Sequence, residues 1–442
     1  MNKIGFISLG CPKNQVDSEM MIARLMDNGF IMCDELYDMD IAVINTCGFI
    51  EDAKKEAIDN ILEMVEMKKD GLIKKVVVTG CLAQRYGEDI LREIPEVDAV
   101  IGLGGNGDIV EVLNRLCTEE TGSTCLLPSV YEMPLEGKRV LTTPSHWAYL
   151  KIADGCSNRC TYCAIPSIRG DFRSREEDSI VEEAKRLVEG GVRELILVAQ
   201  DTTRYGEDLY GEPRLAALLD RLNELESLRW IRLLYCYPDR ITDELLDSMA
   251  RNKKVLHYID LPLQHANEKI LRLMNRRGSK AELLALLEKI RAKLPDAVLR
   301  TTMITGFPGE GEEEFCELCD FVKEARFDRL GCFAYSAEEG TAAALLDSQV
   351  DEEVKRQRGE TIMELQQRIF EEKLKSFIGK TLEVIVDGYD SYTDSYYGRA
   401  WTDAPDIDSV IHLTCGYELN DGDIVTVEVT GMLDFDLIGE VC

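Results

Sequence analysis

Two stretches in which strand patterns alternate with helix patterns constrain the fold of this chain more than any other feature. The first stretch, residues 1–116, contains the apolar runs "KIGFISLG", "IAVINTCGF", "KKVVVTGC" and "VDAVIGLGG", with a long helical segment from about Asp52 to Lys69. The second stretch begins near Trp147, and its candidate strands are 147–154, 193–201, 229–237, 255–263, 298–306 and 329–336. Strands that alternate with helices pair in parallel and are joined by crossover helices. The sequence therefore predicts an α/β protein with two parallel sheets.

The remaining segments suggest a chain of three domains. Six strand–helix units over about 190 residues predict a partial (β/α)6 barrel, because a complete eight-unit barrel needs roughly 250 residues. From Gly379 onward, short β segments separated by Gly and Asp turns predict a small barrel of the oligonucleotide-binding type. The expected divisions are an N-terminal domain over 1–116, a linker over 117–141, a core over 142–371 and a C-terminal barrel over 372–442.

Composition and charge restrict the possible functions. The chain has no apolar run of about eighteen residues, and its start lacks the apolar block and cleavage site of a signal peptide, so we expect a cytoplasmic protein. In a reducing compartment, fifteen cysteines indicate metal binding or redox chemistry rather than disulfides. The net charge of -31 argues against non-specific nucleic-acid binding and is compatible with a basic protein partner.

Three cysteines in the stretch "DGCSNRCTYCAIP" have the spacing C-x3-C-x2-C; Cys156, Cys160 and Cys163 are called the loop triad below. Iron–sulfur cubanes are held by Cys thiolates, normally one for each iron, so three thiolates leave one iron open to another ligand. The loop follows the first predicted barrel strand, at the end where barrel enzymes keep their active sites. A zinc site completed by a remote His or Cys is the alternative.

A second group of cysteines follows the predicted strands of the N-terminal domain. Cys11, Cys47 and Cys81, called the N-terminal triad below, come at or just after the ends of three successive strands. In a parallel sheet these strand ends lie along one edge, where ligands bind, so the three thiols can converge. The alternative is that each is an inert core cysteine, which is common for free Cys. The pattern favours a second cluster site.

The loop triad at the end of the first strand of a partial barrel resembles the radical S-adenosylmethionine (SAM) superfamily. Over nearly its whole length the chain also resembles the methylthiotransferases, through "SLGCPKNQVDSE", "NTCGF", "GCSNRCTYCAIPSIRGDFRSR", "LPLQHANEKILRLMNR" and "TTMITGFPGE". The resemblance implies a transferase with two 4Fe-4S clusters: an auxiliary cluster on the N-terminal triad and the radical-SAM cluster on the loop triad. It also implies SAM as cofactor and a C-terminal TRAM domain. It implies no catalytic residue beyond the cluster ligands.

SAM must also be bound through its adenine, ribose and methionine parts. Polar and glycine residues at the predicted carboxyl ends of the barrel strands are candidates for this role: Gln200, Asp201, Gln264, His265 and Gly306. Gln264 and His265 lie in the family motif "LPLQHA", and Gly306 lies in "ITGFPGE". The alternative for each is a structural role at the mouth of the barrel.

Two features favour the branch of the family that modifies a protein over the branch that modifies tRNA adenosine. The segment "IPSIRGDFRSR" resembles the protein-modifying branch, and residues 372–442 contain four Lys or Arg against fifteen Asp or Glu. A tRNA-binding barrel should be basic. The resemblance then implies methylthiolation of the β-carbon of an aspartate in ribosomal protein S12, with that protein or the small ribosomal subunit as partner and an electron donor that the sequence does not identify.

Two alternatives stay open from the sequence: a tRNA adenosine methylthiotransferase, and a non-catalytic metal-binding interaction protein. A local basic patch is compatible with the first of these; it consists of Arg159, Arg169, Arg173 and Arg175. Pairing with neighbouring acids explains the patch without a nucleic acid; these acids are Asp171, Glu176 and Glu177.

Overall fold

The N-terminal strands and helices form one parallel sheet covered on both faces. The computed structural model describes residues 2–33, 38–118 and 122–442. In this first part the elements are β1 (Lys3–Ser8), α1 (Pro12–Asp27), β2 (Ile31–Cys33), β3 (Ile41–Thr46), α2 (Glu51–Lys69), β4 (Lys75–Gly80), α3 (Cys81–Glu93), β5 (Ala99–Ile101), α4 (Ile109–Thr118) and β6 (Thr124–Leu126). The strand order is β2-β1-β3-β4-β5-β6, and every pair is parallel.

The central strands of this sheet are buried on both sides, as their apolar sequences require. All six residues of β3, "IAVINT", are buried. One core cluster around Ile44 and Val78 packs on one face, and another around Val43 and Val77 packs on the other. Continuous burial of this kind is typical of parallel sheets with helices on both faces. The predicted α/β fold class is confirmed here.

Two local predictions differ from the structure. The sequence pattern predicts the first helix over 16–30, with Asp17 or Ser18 near its cap; this is wrong, because α1 begins at Pro12 with Cys11 as its N-cap. Proline suits the first helical position because its missing N–H is not needed there. The three-residue strands β2 and β6 were too short for a periodic pattern to predict. Part of the expected linker, 119–121, lies outside the described residues.

The second array forms the predicted six-stranded parallel sheet. Its elements are β7 (Trp147–Lys151), β8 (Ala153–Asp154), α5 (Ile165–Arg169), β9 (Arg173–Ser174), α6 (Glu177–Glu189), β10 (Glu194–Val198), α7 (Glu207–Tyr210), α8 (Leu215–Asn223), β11 (Trp230–Leu233), α9 (Asp243–Arg251), β12 (Val255–Asp260), α10 (Glu268–Leu273), α11 (Lys280–Lys293), β13 (Val298–Thr305), α12 (Glu312–Ala325), β14 (Arg329–Ala334) and α13 (Glu352–Lys375). The strand order is β7-β10-β11-β12-β13-β14. Sequential parallel neighbours are what a partial (β/α)6 barrel requires.

A small closed barrel ends the chain. Its strands are β15 (Thr381–Asp390), β16 (Ser395–Ala400), β17 (Ile411–Thr414), β18 (Ile424–Leu433) and β19 (Asp436–Val441). They close in the order β15-β16-β17-β19-β18, with β17 and β19 parallel and the other pairs antiparallel. Val384, Ile411 and Val427 lie at its apolar centre. The predicted small β-barrel is confirmed.

The chain divides into two compact units that are not continuous in sequence. The first unit comprises 1–142, 153–175 and 336–344, and the second comprises 143–152, 176–335 and 345–442. The loop triad therefore belongs to the same unit as the N-terminal triad, and the small barrel belongs to the same unit as the six-stranded sheet. No described helix combines the length and the apolar run needed to cross a bilayer.

Within the second unit, a buried chain of ion pairs connects the six-stranded sheet to the small barrel. The carboxylate of Glu194, at the start of β10, accepts hydrogen bonds from Arg232 Nε and Arg399 Nη1, each at 2.7 Å. Arg399 Nε also donates to Asp387 at 2.7 Å, and Asp387 lies 2.8 Å from His146 Nε2. Burial alone would raise the pKa of Glu194, but the charges of Arg399 and Arg232 outweigh it and lower that pKa.

Replacing Glu194 with Gln should strongly destabilise the second unit. Glu194 and Arg232 have side chains that are 0% exposed, so the substitution leaves a buried guanidinium without its counter-charge. Removing one partner of a buried pair costs about 3–5 kcal/mol. Urea unfolding of the apoprotein, followed by circular dichroism, measures the loss.

Arg356→Ala is the matched control. Arg356 pairs with Glu353 and Glu360 on an exposed helix face, and such surface pairs contribute about 0–1 kcal/mol.

Because the pKa of Glu194 is lowered in the folded state, its contribution to stability is present above about pH 4.3 and is lost as the pH falls. The difference between E194Q and the parent should therefore shrink in acid. Equal losses for E194Q and R356A would contradict the importance of the buried network.

Candidate functional site

The N-terminal triad lies at one edge of the first sheet, as the sequence predicts. The strands that precede the three cysteines, β1, β3 and β4, are direct neighbours. Cys11 is the N-cap of α1, Cys47 follows β3 directly, and Cys81 is the first residue of α3. A Cβ added to Gly10, which has φ +90°, would lie 2.7 Å from Cys47 Cβ and 3.1 Å from its Sγ. The loops that carry Cys11 and Cys47 are therefore in contact.

Burial and nearby charged groups shift the pKa of each of the three thiols. Burial raises the pKa of Cys47, and the neighbouring Cys11 raises it further. Burial raises the pKa of Cys81 to about 12, against the charge of Arg169. Burial alone would also raise the pKa of Cys11, but the charges of Lys13 and Arg169, with backbone hydrogen bonds, lower it. A metal that binds these thiols would displace the proton most easily from Cys11.

Buried amide side chains fix the cysteine loops to each other. Asn14 Nδ2 donates to the carbonyl of Leu9 at 2.7 Å, just before the Cys11 turn. Asn45 Nδ2, two residues before Cys47, donates to the carbonyl of Asn14 at 2.9 Å and to Ser18 Oγ at 2.7 Å. Asn14 and Asn45 are nearly fully buried. This polar layer positions the cysteine loops, and it explains why α1 buries polar residues that an apolar period does not predict.

The loop triad lies on a tight turn in the same unit. The Cys156 N–H donates to the carbonyl of Gly170 at 3.0 Å, and the Cys163 N–H donates to the carbonyl of Cys160 at 3.1 Å. Gly155 has φ +79°, and a Cβ there would lie 2.1 Å from the carbonyl oxygen of Asp171. Only glycine fits a left-handed backbone in contact with another chain segment. The three loop cysteines are partly exposed.

Arg169 connects the two triads, a role that its place in the local basic patch does not indicate. Its side chain is 1% exposed. Nη1 donates to Asp154 at 2.8 Å, and Nη2 donates to Asp17 at 2.9 Å and to Asn14 at 3.2 Å. Ile168, the residue before Arg169, packs with Cys81 in one buried cluster. No local pattern signals these contacts, because Asp17 and Asn14 lie more than 150 residues away in sequence.

The other arginines of the patch also have partners. Arg159 pairs with Asp171 at 2.8 Å, as the sequence analysis suggested. Arg173 donates to the carbonyls of Val130 and Tyr131, at 3.0 and 3.1 Å. Arg175 Nε lies 3.8 Å from a carboxylate oxygen of Glu136. The patch therefore offers little unpaired positive charge for a nucleic-acid backbone.

A short segment, 336–344, contacts the loops of both triads within the first unit. Glu338, whose side chain is 3% exposed, accepts from Lys54 Nζ at 2.9 Å and from Arg85 Nη1 at 3.1 Å. Arg85 Nη1 also donates to the carbonyl of Gly48, next to Cys47, at 3.1 Å. The Ala343 N–H donates to the carbonyl of Thr161, inside the loop triad, at 2.9 Å. Sequence reasoning missed this segment.

The candidate SAM residues lie in the second unit, after strands β10, β12 and β13. Asp201 is buried and accepts a hydrogen bond from Thr203 Oγ1 at 2.6 Å, whereas Gln200 is partly exposed. Gln264 is partly exposed and has φ +72°. His265 is fully buried: its Nδ1 accepts the Asn267 N–H at 2.9 Å, so Nε2 carries the proton and donates to Glu310 at 3.2 Å.

Gly306 has an evident packing function. It has φ +68°, and a Cβ there would lie 2.1 Å from Lys355 Cγ on α13. Close approach of this helix therefore requires glycine at position 306.

A second strained residue lies at the end of a neighbouring strand. Tyr235, after β11, has φ +59°, like Gln264 after β12. The Tyr235 N–H donates to Asp260 Oδ2 at 2.9 Å, and the other oxygen of Asp260 accepts from Arg300 at 2.7 Å. Left-handed backbone at non-glycine residues is strained and clusters at functional sites. These two strand ends are therefore the best-supported part of the candidate cofactor site.

The donor sets of both triads are compatible with iron–sulfur clusters. Each triad supplies three thiolates, the ligand type that holds iron–sulfur clusters. Among the described residues, no group of three His, Cys, Asp or Glu is arranged to hold one metal ion. The irons of a cubane occupy separate corners, so its thiolates lie farther apart than the ligands of a single ion. Three buried or half-buried thiols on converging loops fit that larger group.

The chain is similar to known proteins over its whole length. The profiles that match the chain are the Radical SAM superfamily over residues 150–322, the uncharacterized protein family UPF0004 over 3–102 and the TRAM domain over 378–442. Two relatives are both named ribosomal protein uS12 methylthiotransferase RimO. That of Desulforamulus reducens is 49% identical over 442 residues, 100% of both chains. That of Clostridioides difficile is 46% identical over 443 residues, 100% of this chain and 99% of that protein.

Solved structures support the fold. The radical S-adenosylmethionine methyltransferase TsrM from Kitasatospora setae, solved with cobalamin and a 4Fe-4S cluster bound, has a TM-score of 0.56 at 14% identity. The match covers 78% of this chain and 77% of that chain. At this identity the likeness concerns the fold alone.

Replacing Gly155 with Ala should disrupt the turn before Cys156. A left-handed conformation costs an L-residue about 1–2 kcal/mol, and the collision with the Asp171 carbonyl adds to that cost. The control is Gly71→Ala, since Gly71 has φ +76° but no atom within 4 Å of the added Cβ. Urea unfolding should show a larger loss of stability for G155A than for G71A. Equal losses would contradict the close packing of this turn.

Proposed function

This chain belongs to the RimO family of ribosomal protein uS12 methylthiotransferases, and we propose that it adds a methylthio group to the β-carbon of one aspartate of uS12. Full-length identity of 49% to a protein of that name is the observation that carries the proposal. The family is a radical-SAM enzyme family, so the chain is a transferase that uses a 4Fe-4S cluster and SAM. A ribosomal acceptor is consistent with the expected cytoplasmic location.

The proposal assigns one cluster to each cysteine triad. The loop triad would hold the radical-SAM cluster, and the N-terminal triad would hold the auxiliary cluster. When bound, an iron–sulfur cluster with an open iron supplies a coordination site and an electron for reductive SAM cleavage. Cluster binding at the N-terminal triad would require its three thiols to lose their protons. Cys11, with its lowered pKa, gives up its proton first, and Arg169 favours the thiolate of Cys81.

The proposed SAM contacts remain Gln200, Asp201, Gln264, His265 and Gly306. Their environments support different roles. Gln200 and Gln264 are partly exposed at strand ends, where an amide can bind the polar parts of a cofactor. Asp201, His265 and Gly306 are buried, so they would act by fixing the shape of the strand ends.

The acidic barrel is the proposed docking surface for the basic ribosomal protein. Residues 378–442 contain two cations, Lys380 and Arg399, and Arg399 is buried against Glu194. The lining of a groove of about 470 Å³ on this barrel includes Tyr389, Tyr417 and Glu418. Aromatic and acidic side chains together suit a chain rich in Lys and Arg.

The reaction can be tested directly with both acceptors of the family. The reconstituted enzyme is given SAM, a reductant and sulfide, together with small ribosomal subunits and bulk tRNA, and both are analysed by mass spectrometry. We expect a methylthio adduct on the uS12 aspartate. Cys47→Ala and Cys160→Ala should each abolish the adduct and each halve the iron content, from about eight to about four atoms per chain, if each triad holds one cluster.

Cys125→Ala and Cys316→Ala are the matched controls, because both cysteines are exposed and lie outside the two triads. They should retain the iron and the activity. An adduct on tRNA would contradict the assigned acceptor and leave the clusters in place. Iron binding without any adduct would favour a metal-binding interaction protein.

Charge reversal on the barrel tests the docking surface. Glu418→Lys places a cation in the groove, and Asp421→Lys adds a second cation three residues later in the sequence. The value of kcat/KM for the ribosomal subunit should therefore fall roughly tenfold at low salt and return towards that of the parent enzyme as salt screens the charges. The control, Glu288→Lys with Glu364→Lys, changes the net charge equally at exposed positions on α11 and α13. Equal effects of the two pairs would show that net charge, rather than the groove, governs association.

A further inference from the structure

Arg169 joins the turn of the loop triad to the rest of the first unit. Asp154 accepts its Nη1 on Oδ2 at 2.8 Å and the N–H of Gly155 on Oδ1 at 2.7 Å. The residue after the arginine, Gly170, accepts the Cys156 N–H at 3.0 Å. The position of Cys156 is therefore fixed through the side chain of Arg169 and through the backbone next to it.

The same guanidinium faces the N-terminal triad. Asn14, which accepts a hydrogen bond from Arg169, donates its own N–H to the carbonyl of Cys11 at 2.9 Å, and Ile168, the residue before Arg169, packs in one buried cluster with Cys81. Asp17 and Asn14 on α1 fix the orientation of the guanidinium, at 2.9 and 3.2 Å. The side chain is 1% exposed, so water screens this charge very little.

We propose that Arg169 is a positioning residue for both triads: it fixes the turn before Cys156, and its positive charge makes the cluster on Cys11, Cys47 and Cys81 easier to reduce. This inference rests on the two-cluster assignment of the proposed function. Arg169 belongs to neither triad. The proposal also concerns the reduction potential of the auxiliary cluster, which the three cysteine ligands alone do not determine.

Electrostatics gives the expected sign. Reduction adds one negative charge to a cluster, and net charge and hydrogen bonds to the sulfurs set its reduction potential. A buried cation therefore raises the potential, and a buried anion lowers it. Arg169 and Asp17 form one ion pair, so replacing either residue breaks the same contact while changing the local charge in opposite directions.

The test uses the full chain with the loop triad removed by Cys156→Ala, Cys160→Ala and Cys163→Ala. In this parent, Arg169→Gln, Asp17→Asn and Arg169→Lys are reconstituted and titrated with dithionite, and the reduced cluster is followed by electron paramagnetic resonance. We expect a more negative potential for R169Q and a less negative one for D17N. R169K, which keeps the charge, should stay near the parent.

The outcomes separate charge from structural damage. Damage from the broken ion pair would move R169Q and D17N in the same direction, and that result, or no shift in either, would overturn the proposal. If R169Q binds no cluster, D17N decides: a less negative potential supports the proposal, and any other result overturns it. Absence of iron from the parent would overturn the two-cluster assignment itself, before any Arg169 variant is compared.

A second parent isolates the positioning role. With Cys11→Ala, Cys47→Ala and Cys81→Ala, iron can bind only at the loop triad, where Arg169→Gln and Arg169→Lys should both lower the iron occupancy. Lysine keeps the charge but loses the two-pronged geometry that bridges Asp154 and Asp17. Unchanged occupancy in both variants, with melting temperatures near the parent, would overturn this part of the proposal.

Discussion

Parallel pairing of β1, β3 and β4 is the constraint on which the rest of the site depends. Parallel strands end at the same edge of a sheet, so residues about 35 positions apart in sequence are brought together by topology alone. The thiols do not need to attract one another for the site to form. The folding of the apolar sheet assembles three groups that burial makes difficult to ionise, and it also places the compensating cations Lys13 and Arg169 beside them.

Much of this architecture could be predicted because it depends on period and spacing. The six core strands, the closed barrel and the position of the N-terminal triad all follow from local patterns. Arg169 and Glu338 could not be found in this way, since their partners lie in other parts of the chain. The first helix was misplaced for a related reason. Asp17 and Ser18 resemble caps by residue type, but they are buried through contacts that only the tertiary structure supplies.

The two units use charge in different ways. In the second unit, Glu194 and its arginines hold the small barrel against the sheet through buried ion pairs, which specify one arrangement rather than many. The surface of that barrel is left almost without free cations, because Arg399 is used internally. The surface of the barrel is therefore acidic in part because Arg399 is used in the buried ion pairs that hold the barrel against the sheet.

The interrupted course of the chain limits how this protein can be divided. The first unit contains 153–175 and 336–344 in addition to the N-terminal residues. A fragment ending near residue 116 would leave Asp17 and Asn14 without Arg169, and Lys54 and Arg85 without Glu338, in places from which water is largely excluded. Such unsatisfied groups are costly. The N-terminal sheet is therefore not a transplantable module: exchange between relatives would have to carry the two later segments with it, so the three pieces are expected to evolve together.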